Sequence, residues 1–202
     1  MGSGTRHPVL VDTDALIAVA NTALWPKITE TLNLTTTNVC VQELKRHVQE
    51  TPKYPLDGSR EQWIRNGSEN ALVPFEDDAN SSFTVVSSVP RPHGEDAGEK
   101  SLQQEVSQQP GAYTFAVLMD RAGRTAINRE FDQLDTEGRA VAPPFLLYLL
   151  FDADACTKEE FCQACGELLK GEGWTGYQAV QAAWEAIPVD CSEFLPDDVL
   201  PT

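Results

Sequence analysis

A chain of 202 residues, 41% of them hydrophobic, can bury one substantial core and fits a single domain. Against 15 Lys and Arg stand 31 Asp and Glu, a net charge of −16, so the surface repels membranes and nucleic acids wherever nothing local reverses its sign. The longest apolar run, "PPFLLYLLF", is too short to span a bilayer, and Asp12 and Asp14 interrupt the apolar region near the amino terminus; no signal peptide is expected, and a cytoplasmic location is.

In chain order, "PVLVD" reads as a strand buried on both faces and ending at Asp12. "ALIAVAN" is apolar on every side and reads as a buried helix capped by Thr13 or Asp14. Trp25-Pro26 opens a second short helix. The β-branched "LTTTNVC" is a strand that leads into the helix "VQELKRHVQE", with Glu43 near its start. From about 51 to 80 the chain turns polar and rich in turn formers, an insertion with one weak helical patch around "EQWIRNGSENAL". "FTVVSSV" is another strand, and "HGEDAGEKSLQQEV" starts a helix that "QQPG" terminates. "YTFAVLMD" is a strong strand ending in a second aspartate, Asp120, and "RAGRTAINRE" continues as a helix. After a short strand at "RAVA", three helices form a carboxy-terminal extension from about 143 to 188. Pro143-Pro144 opens the first, Thr157 and Glu160 form a capping box for the second, which Gly171 ends, and the third carries Tyr177, Val180, Trp184 and Ile187 on one stripe. Alternating strands and helices predict an α/β fold, a three-layer sandwich around a mostly parallel sheet with extra carboxy-terminal helices.

The acidity has a second meaning. It is spread along the whole chain, and nine Arg outnumber six Lys, a balance that resembles proteins of salt-loaded cytoplasm. There an acidic surface stays hydrated while salt screens its field within a few Å, which weakens the case against a nucleic-acid substrate. Five cysteines are an odd number without small-scaffold spacing, so no disulfide framework is expected. Cys162 and Cys165 of "CQAC" lie inside a capped helix whose apolar face includes Phe161 and Leu168. With Cys156 upstream and Cys191 downstream they read as core and not as a zinc site. His7, His47 and His93 share no ligand spacing and receive no role.

Two strands that end in aspartate carry the chemistry. In a doubly wound sheet, ligands bind beyond the carboxyl ends of the strands, and the carboxylates of Asp12 and Asp120 converge if their strands are neighbours. Glu43 and Glu99, each near the start of a helix that follows a strand, can point into the same crevice. Four such carboxylates repel one another when empty and form a hard-oxygen site for Mg²⁺ or Mn²⁺. Asp14 reads as a helix cap, and Glu43 alternatively pairs with His47 one turn on.

"VDTDALIAV", Glu43 in "VQELKRH", "DAGEKSL" and "LMDRAGR" follow one another in an order that resembles the PIN-domain nucleases, metal-dependent ribonucleases that include the VapC-type toxins. The resemblance runs from Pro8 to about Trp174, with 51–80 as extra length. It implies that Asp12, Glu43 and Asp120 are metal-binding acids, and that "DAGEKSL" supplies the third acid from Asp96 or Glu99, the family's "GE" pattern favouring Glu99. It further implies one or two divalent ions, Mg²⁺ or Mn²⁺, that polarise a water for in-line attack on a phosphodiester. Thr13 would help position that water, and Lys100, Arg121 and Arg124 would grip the substrate backbone. The implied partner is RNA; an antitoxin-type protein and a second copy of the chain are compatible with the resemblance, and a membrane is not. Two rivals remain at this level: a PIN-like module that binds or assembles without activity, and a phosphatase of the haloacid-dehalogenase class, whose pattern wants a hydroxyl where this chain has Leu16.

Overall fold

The computed structural model describes residues 8–50, 58–77, 82–94, 96–168, 187 and 189–191. The expected third carboxy-terminal helix and the Gly171 stop lie outside these residues. Among them five strands form one parallel sheet: β1 (Val9–Val11), β2 (Leu34–Thr37), β3 (Phe83–Val86), β4 (Phe115–Val117) and β5 (Arg139–Val141), in the spatial order β3-β2-β1-β4-β5. The chain winds outward from β1 through β2 to β3, then crosses to the other side of β1 for β4 and β5. That reversal makes β1/β4 the topological switch point.

Side-chain alternation divides the sheet into two faces. Val9, Val11 and Val117 enter one core with α1 (Thr13–Ala20), α2 (Trp25–Thr31), α4 (Gly58–Glu76) and α7 (Pro144–Asp152). Leu10, Ala116, Leu118 and Ala140 enter a second core with α5 (Ala97–Gln108) and α6 (Arg121–Gln133). Between the layers, α3 (Asn38–Gln49) sends Leu44 into the first core and Cys40 into the second. The result is the expected three-layer sandwich. A further helical run covers 158–168, opened by the expected capping box: the Thr157 hydroxyl accepts from the Glu160 N–H at 3.2 Å, and the Glu160 carboxylate accepts from the Thr157 N–H at 2.9 Å.

Three features depart from the sequence reading. The stretch read as polar, with only a weak helical patch, holds the 19-residue α4, which packs against α1 and α3 and buries Ala71 and Leu72. Its Gly67 permits the close approach, because a Cβ there would stand 2.5 Å from the Ile17 carbonyl oxygen and 2.3 Å from Asn21 Nδ2. The cysteine expectation is corrected at one pair: Cys162 and Cys191, 29 positions apart, form a disulfide with Cα atoms 5.3 Å apart. Cys156 and Cys165 stay as buried thiols, and burial raises the pKa of each. The third departure concerns helix caps and belongs to the site.

At the outer edge, the backbone of β5 is covered from within. The Arg139 N–H and the Val141 carbonyl bond toward β4, which turns the Ala140 N–H and carbonyl outward. Both meet the side-chain amide of Asn128 on α6, at 2.7 and 3.4 Å.

Candidate functional site

Asp12 stands at the first position after β1, and β1 lies beside β4 in register, Val11 opposite Val117. Its neighbour across the switch point is the segment Leu118–Asp120 that runs from β4 to α6. The Asp12 carboxylate caps α1: Oδ1 accepts the Ala15 N–H at 2.7 Å, while Oδ2 lies 3.4 Å from the Met119 N–H. The expectation that Thr13 or Asp14 caps α1 is therefore corrected. Helical geometry begins at Thr13, so the residue before it takes the cap, and Asp14 falls in the first turn with its side chain exposed. Asp120 repeats the arrangement at α6, its Oδ2 accepting the Gly123 N–H at 2.7 Å. Both strand-end acids are thus locked onto helix N-termini, where free N–H groups and the helix dipole favour negative charge.

The other acids arrive from neighbouring helices over glycines. Glu43 of α3 accepts a hydrogen bond from the Thr13 hydroxyl at 2.6 Å, has Arg46 at 3.7 Å, and rests over Gly98, where a Cβ would come within 2.8 Å of its Oε2. Glu99 of α5 rests over Gly123 in the same manner, with its carboxyl carbon 2.7 Å from a Cβ placed there. In both cases the acid of one helix lies over a glycine at the start of a later one, Glu43 of α3 over Gly98 of α5 and Glu99 of α5 over Gly123 of α6. Below them, Ser101 donates to the Gly98 carbonyl at 2.6 Å and shares a hydrogen bond with Thr37, the cap of α3, which fixes α5 to the end of β2.

Asp12, Thr13, Asp14, Glu43, Asp96 and Glu99 line a cleft of about 270 Å³, together with Arg46, His47 and Gly98. Asp120 does not line it but lies close enough to raise the pKa of both Asp14 and Glu99. Asp96, exposed and in the left-handed region at φ 59°, precedes α5 without capping it by its side chain. Burial pushes Asp12 well above the usual aspartate range, and Asp14 and Glu99 push it further, while the Ala15 and Met119 N–H groups oppose the rise. Loss of hydration against the cleft wall raises Asp14, with Asp120 adding to the rise, against the lowering influence of His47 and Arg60. Glu99 rises by burial first and then by Asp120, Asp96 and Asp14. Three acids with raised pKa values on one cleft form a site whose mutual repulsion and burial a bound cation would relieve.

The basic residues divide. Arg121 and Lys100 are exposed at the starts of α6 and α5. Arg124 is half-buried and donates through Nη1 to the carbonyls of Leu118 and Met119, at 3.0 and 2.6 Å. It therefore clamps the segment between β4 and Asp120, and burial lowers its pKa against the opposing pull of Asp120 and Asp12. The sequence reading gave His47 only an alternative pairing with Glu43 and gave Arg46 no role, and the structure places both on the cleft. The sequence reading also missed Gly98 and Gly123, although each is adjacent to or one turn from a quoted acid. Leu16, at the place where a phosphatase pattern wants a hydroxyl, is wholly buried in the core. A larger cavity, about 970 Å³, lies elsewhere along β5 and holds none of these acids.

The donor set suits a hard divalent ion. Among the described residues no three His, Cys, Asp or Glu side chains converge as closely as a cage of direct ligands requires. Mg²⁺ and Mn²⁺ do not require such a cage, since Mg²⁺ keeps several waters and takes one or two carboxylates directly, the others acting through water. Asp12 and Asp120 would hold the ion, with Glu99 and Glu43 beside them. The thiols and imidazoles of a zinc site are not gathered here.

Among the described residues no helix is long and apolar enough to cross a membrane. No curated protein and no solved structure matches the chain. A family profile described as the halobacterial PIN domain matches residues 1–201. PIN domains have a nuclease-type fold and generally use divalent metals. With the match running over nearly the whole chain, this protein belongs to the PIN-domain family of halophilic archaea.

Proposed function

We propose that the chain is a metal-dependent ribonuclease that hydrolyses phosphodiester bonds at the acid cleft lined by Asp12, Glu43 and Glu99, with Asp120 close by. The observation that carries this reading is the acid cleft at the switch point, where Asp12, Asp14 and Glu99 are all pushed toward protonation and two glycines make room for Glu43 and Glu99. A bound Mg²⁺ or Mn²⁺ would supply a polarised water and offset the charge that develops on the phosphate. The chain's own residues do the rest. The α1 and α6 N-termini fix the Asp12 and Asp120 carboxylates, so neither needs to reorganise when a substrate arrives. Thr13 holds Glu43 in one rotamer, and Arg124 acts through the Leu118 and Met119 carbonyls as a positioning residue for Asp120. Arg121 and Lys100, on the rim, are placed to meet phosphate oxygens. Glu99 is the third acid in this reading, because it lies against Gly123 and Asp120 while Asp96 stays exposed at the rim.

The test is cleavage of single-stranded and structured RNA in molar KCl with Mn²⁺, Mg²⁺ or EDTA, comparing the parent with Asp12→Asn and Asp120→Asn. Metal-dependent cleavage lost in both variants is expected. A folded parent that cuts nothing, or variants that cut equally well, would move the chain to the reading of a PIN-like binding module without activity.

A further inference from the structure

A second cleft, about 380 Å³, opens directly beside the acid cleft and shares Glu43 and Arg46 with it. Its walls are the outer face of α3, with Gln42, Lys45 and Arg46, and the loop that carries Arg91 and His93. Among the described residues, three of the chain's 15 basic side chains line it with one carboxylate, that of Glu43. In a protein of net charge −16 this is a local reversal of sign. Lys45 is paired with Glu76 at 2.8 Å and Arg46 stands 3.7 Å from Glu43, so the charge left over for a ligand is chiefly that of Arg91, with Arg46 shared between Glu43 and the cleft. The loop is not left to chance. The Ser88 N–H donates to Asn38 at 3.2 Å, and the Val89 carbonyl accepts from Gln104 and Gln108 of α5 at 2.6 and 3.1 Å. Arg91 itself donates to Gln42 across the cleft. A charged side chain on a loop pinned from two helices is organised before any ligand binds.

We propose that this cleft is a phosphate subsite for the RNA strand, in which Arg46 and Arg91 grip the backbone adjoining the bond that is cut. The proposal rests on the reading of the acid cleft as a phosphodiester-cleaving site. Its logic follows from salt. At 1 M ionic strength the Debye length is about 3 Å, so an acidic protein neither repels nor attracts RNA at long range, and affinity has to come from direct contacts. Guanidinium forks on phosphate oxygens are contacts of that kind. Arg46 stands at the junction, 3.7 Å from Glu43, and so links the strand's anchor to the acids that would hold the ion.

Fluorescence anisotropy of labelled oligouridylates two and eight nucleotides long, with Ca²⁺ in place of the active ion and in molar KCl, reads the subsite. Hydrolysis of bis(4-nitrophenyl) phosphate with Mn²⁺ reads the acid cleft alone. The parent is expected to bind the octamer more tightly than the dimer. Arg91→Gln should remove about tenfold of that gain, the low end for a charge-assisted hydrogen bond, and leave small-diester hydrolysis unchanged. Arg91→Lys should recover part of the loss, and Arg129→Gln, on the exposed part of α6, should cost nothing. Octamer binding in Arg91→Gln equal to the parent, or an equal loss in Arg129→Gln, would overturn the subsite. A parent that binds the octamer through Arg91 yet hydrolyses no small diester would instead overturn the reading of the acid cleft.

Discussion

Replacing Gly123 by alanine separates what the site needs from what the fold needs. A Cβ at this position would stand 2.7 Å from the Glu99 carboxyl carbon and 2.8 and 2.9 Å from its two oxygens. Ordinary contact begins near 3.4 Å, so the carboxylate has to retreat by roughly 0.7 Å or more. The obstacle is the end of a flexible side chain, so the fold can yield cheaply. The Asp120 cap survives, because alanine keeps the N–H that Asp120 accepts. Alanine within a helix is favoured over glycine by about 0.5–1 kcal/mol, which in a chain of this length corresponds to a melting temperature unchanged or raised by about 1–4 °C. A catalytic group displaced by about 1 Å commonly costs on the order of 100-fold in rate, so metal-dependent RNA cleavage should fall by about 10- to 100-fold. Gly67→Ala is the control with the opposite outcome. There the nearest atoms include the Ile17 backbone carbonyl, which cannot step aside, and a destabilisation of about 1–3 kcal/mol is expected without any site acid being touched. Thermal melting and cleavage rates for the two variants decide the matter. If Gly123→Ala cleaves at the parental rate, Glu99 is not part of the site; if it melts far below the parent, the assumption of a yielding side chain is wrong.

Three further outcomes are expected. Asparagine caps helices as well as aspartate does, so Asp12→Asn should melt no lower than the parent in EDTA, while the stabilisation by added Mn²⁺ expected of the parent should disappear; a large loss of stability in EDTA would count against the buried-charge account. The folded pKa values of Asp12, Asp14 and Glu99 lie above their unfolded values of 3.8, 3.8 and 4.5, so the metal-free fold binds the extra protons. Its stability from these groups is greatest below those unfolded values and falls as pH rises through the folded ones, whereas the melting shift produced by Mn²⁺ should grow over the same range; melting curves across pH with and without Mn²⁺ check both slopes. Thr13→Val removes the 2.6 Å hydrogen bond to Glu43 and should reduce cleavage by about 5- to 10-fold for about 1 kcal/mol of stability; unchanged cleavage would remove Thr13 from the site.

The strand ends were legible because buried parallel strands are short apolar runs, and an acid that terminates one is conspicuous. Asp12 and Asp120 therefore appeared in the sequence as a pair. Their adjacency did not, since the order β3-β2-β1-β4-β5 depends on which faces the helices cover, and periodicity within one element carries no such information. That Asp12 caps α1 in place of Thr13 or Asp14 was also closed to sequence, because Asp and Thr both suit the position and only the point where the backbone turns helical decides it. The helix α4 was hidden by its own composition. It buries Gly67 and Ser68 as well as Ala71 and Leu72, so the face turned to α1 reads as polar and small. The bridge from Cys162 to Cys191 joins positions 29 residues apart that share no pattern.

Asn128 sets a limit on how this protein meets others. A parallel sheet with an open border invites another chain to continue the ladder, and the amide of Asn128 has already taken the two outward groups of Ala140 that such a ladder would use first. Among the described residues no strand pairs beyond β5, and one side chain on α6 imitates such a strand for the length of a single residue on a three-residue border. Contact with a second copy or a partner along this border would have to be made by side chains, and the hydrogen-bonded growth that drives strand aggregation is closed off at its starting point.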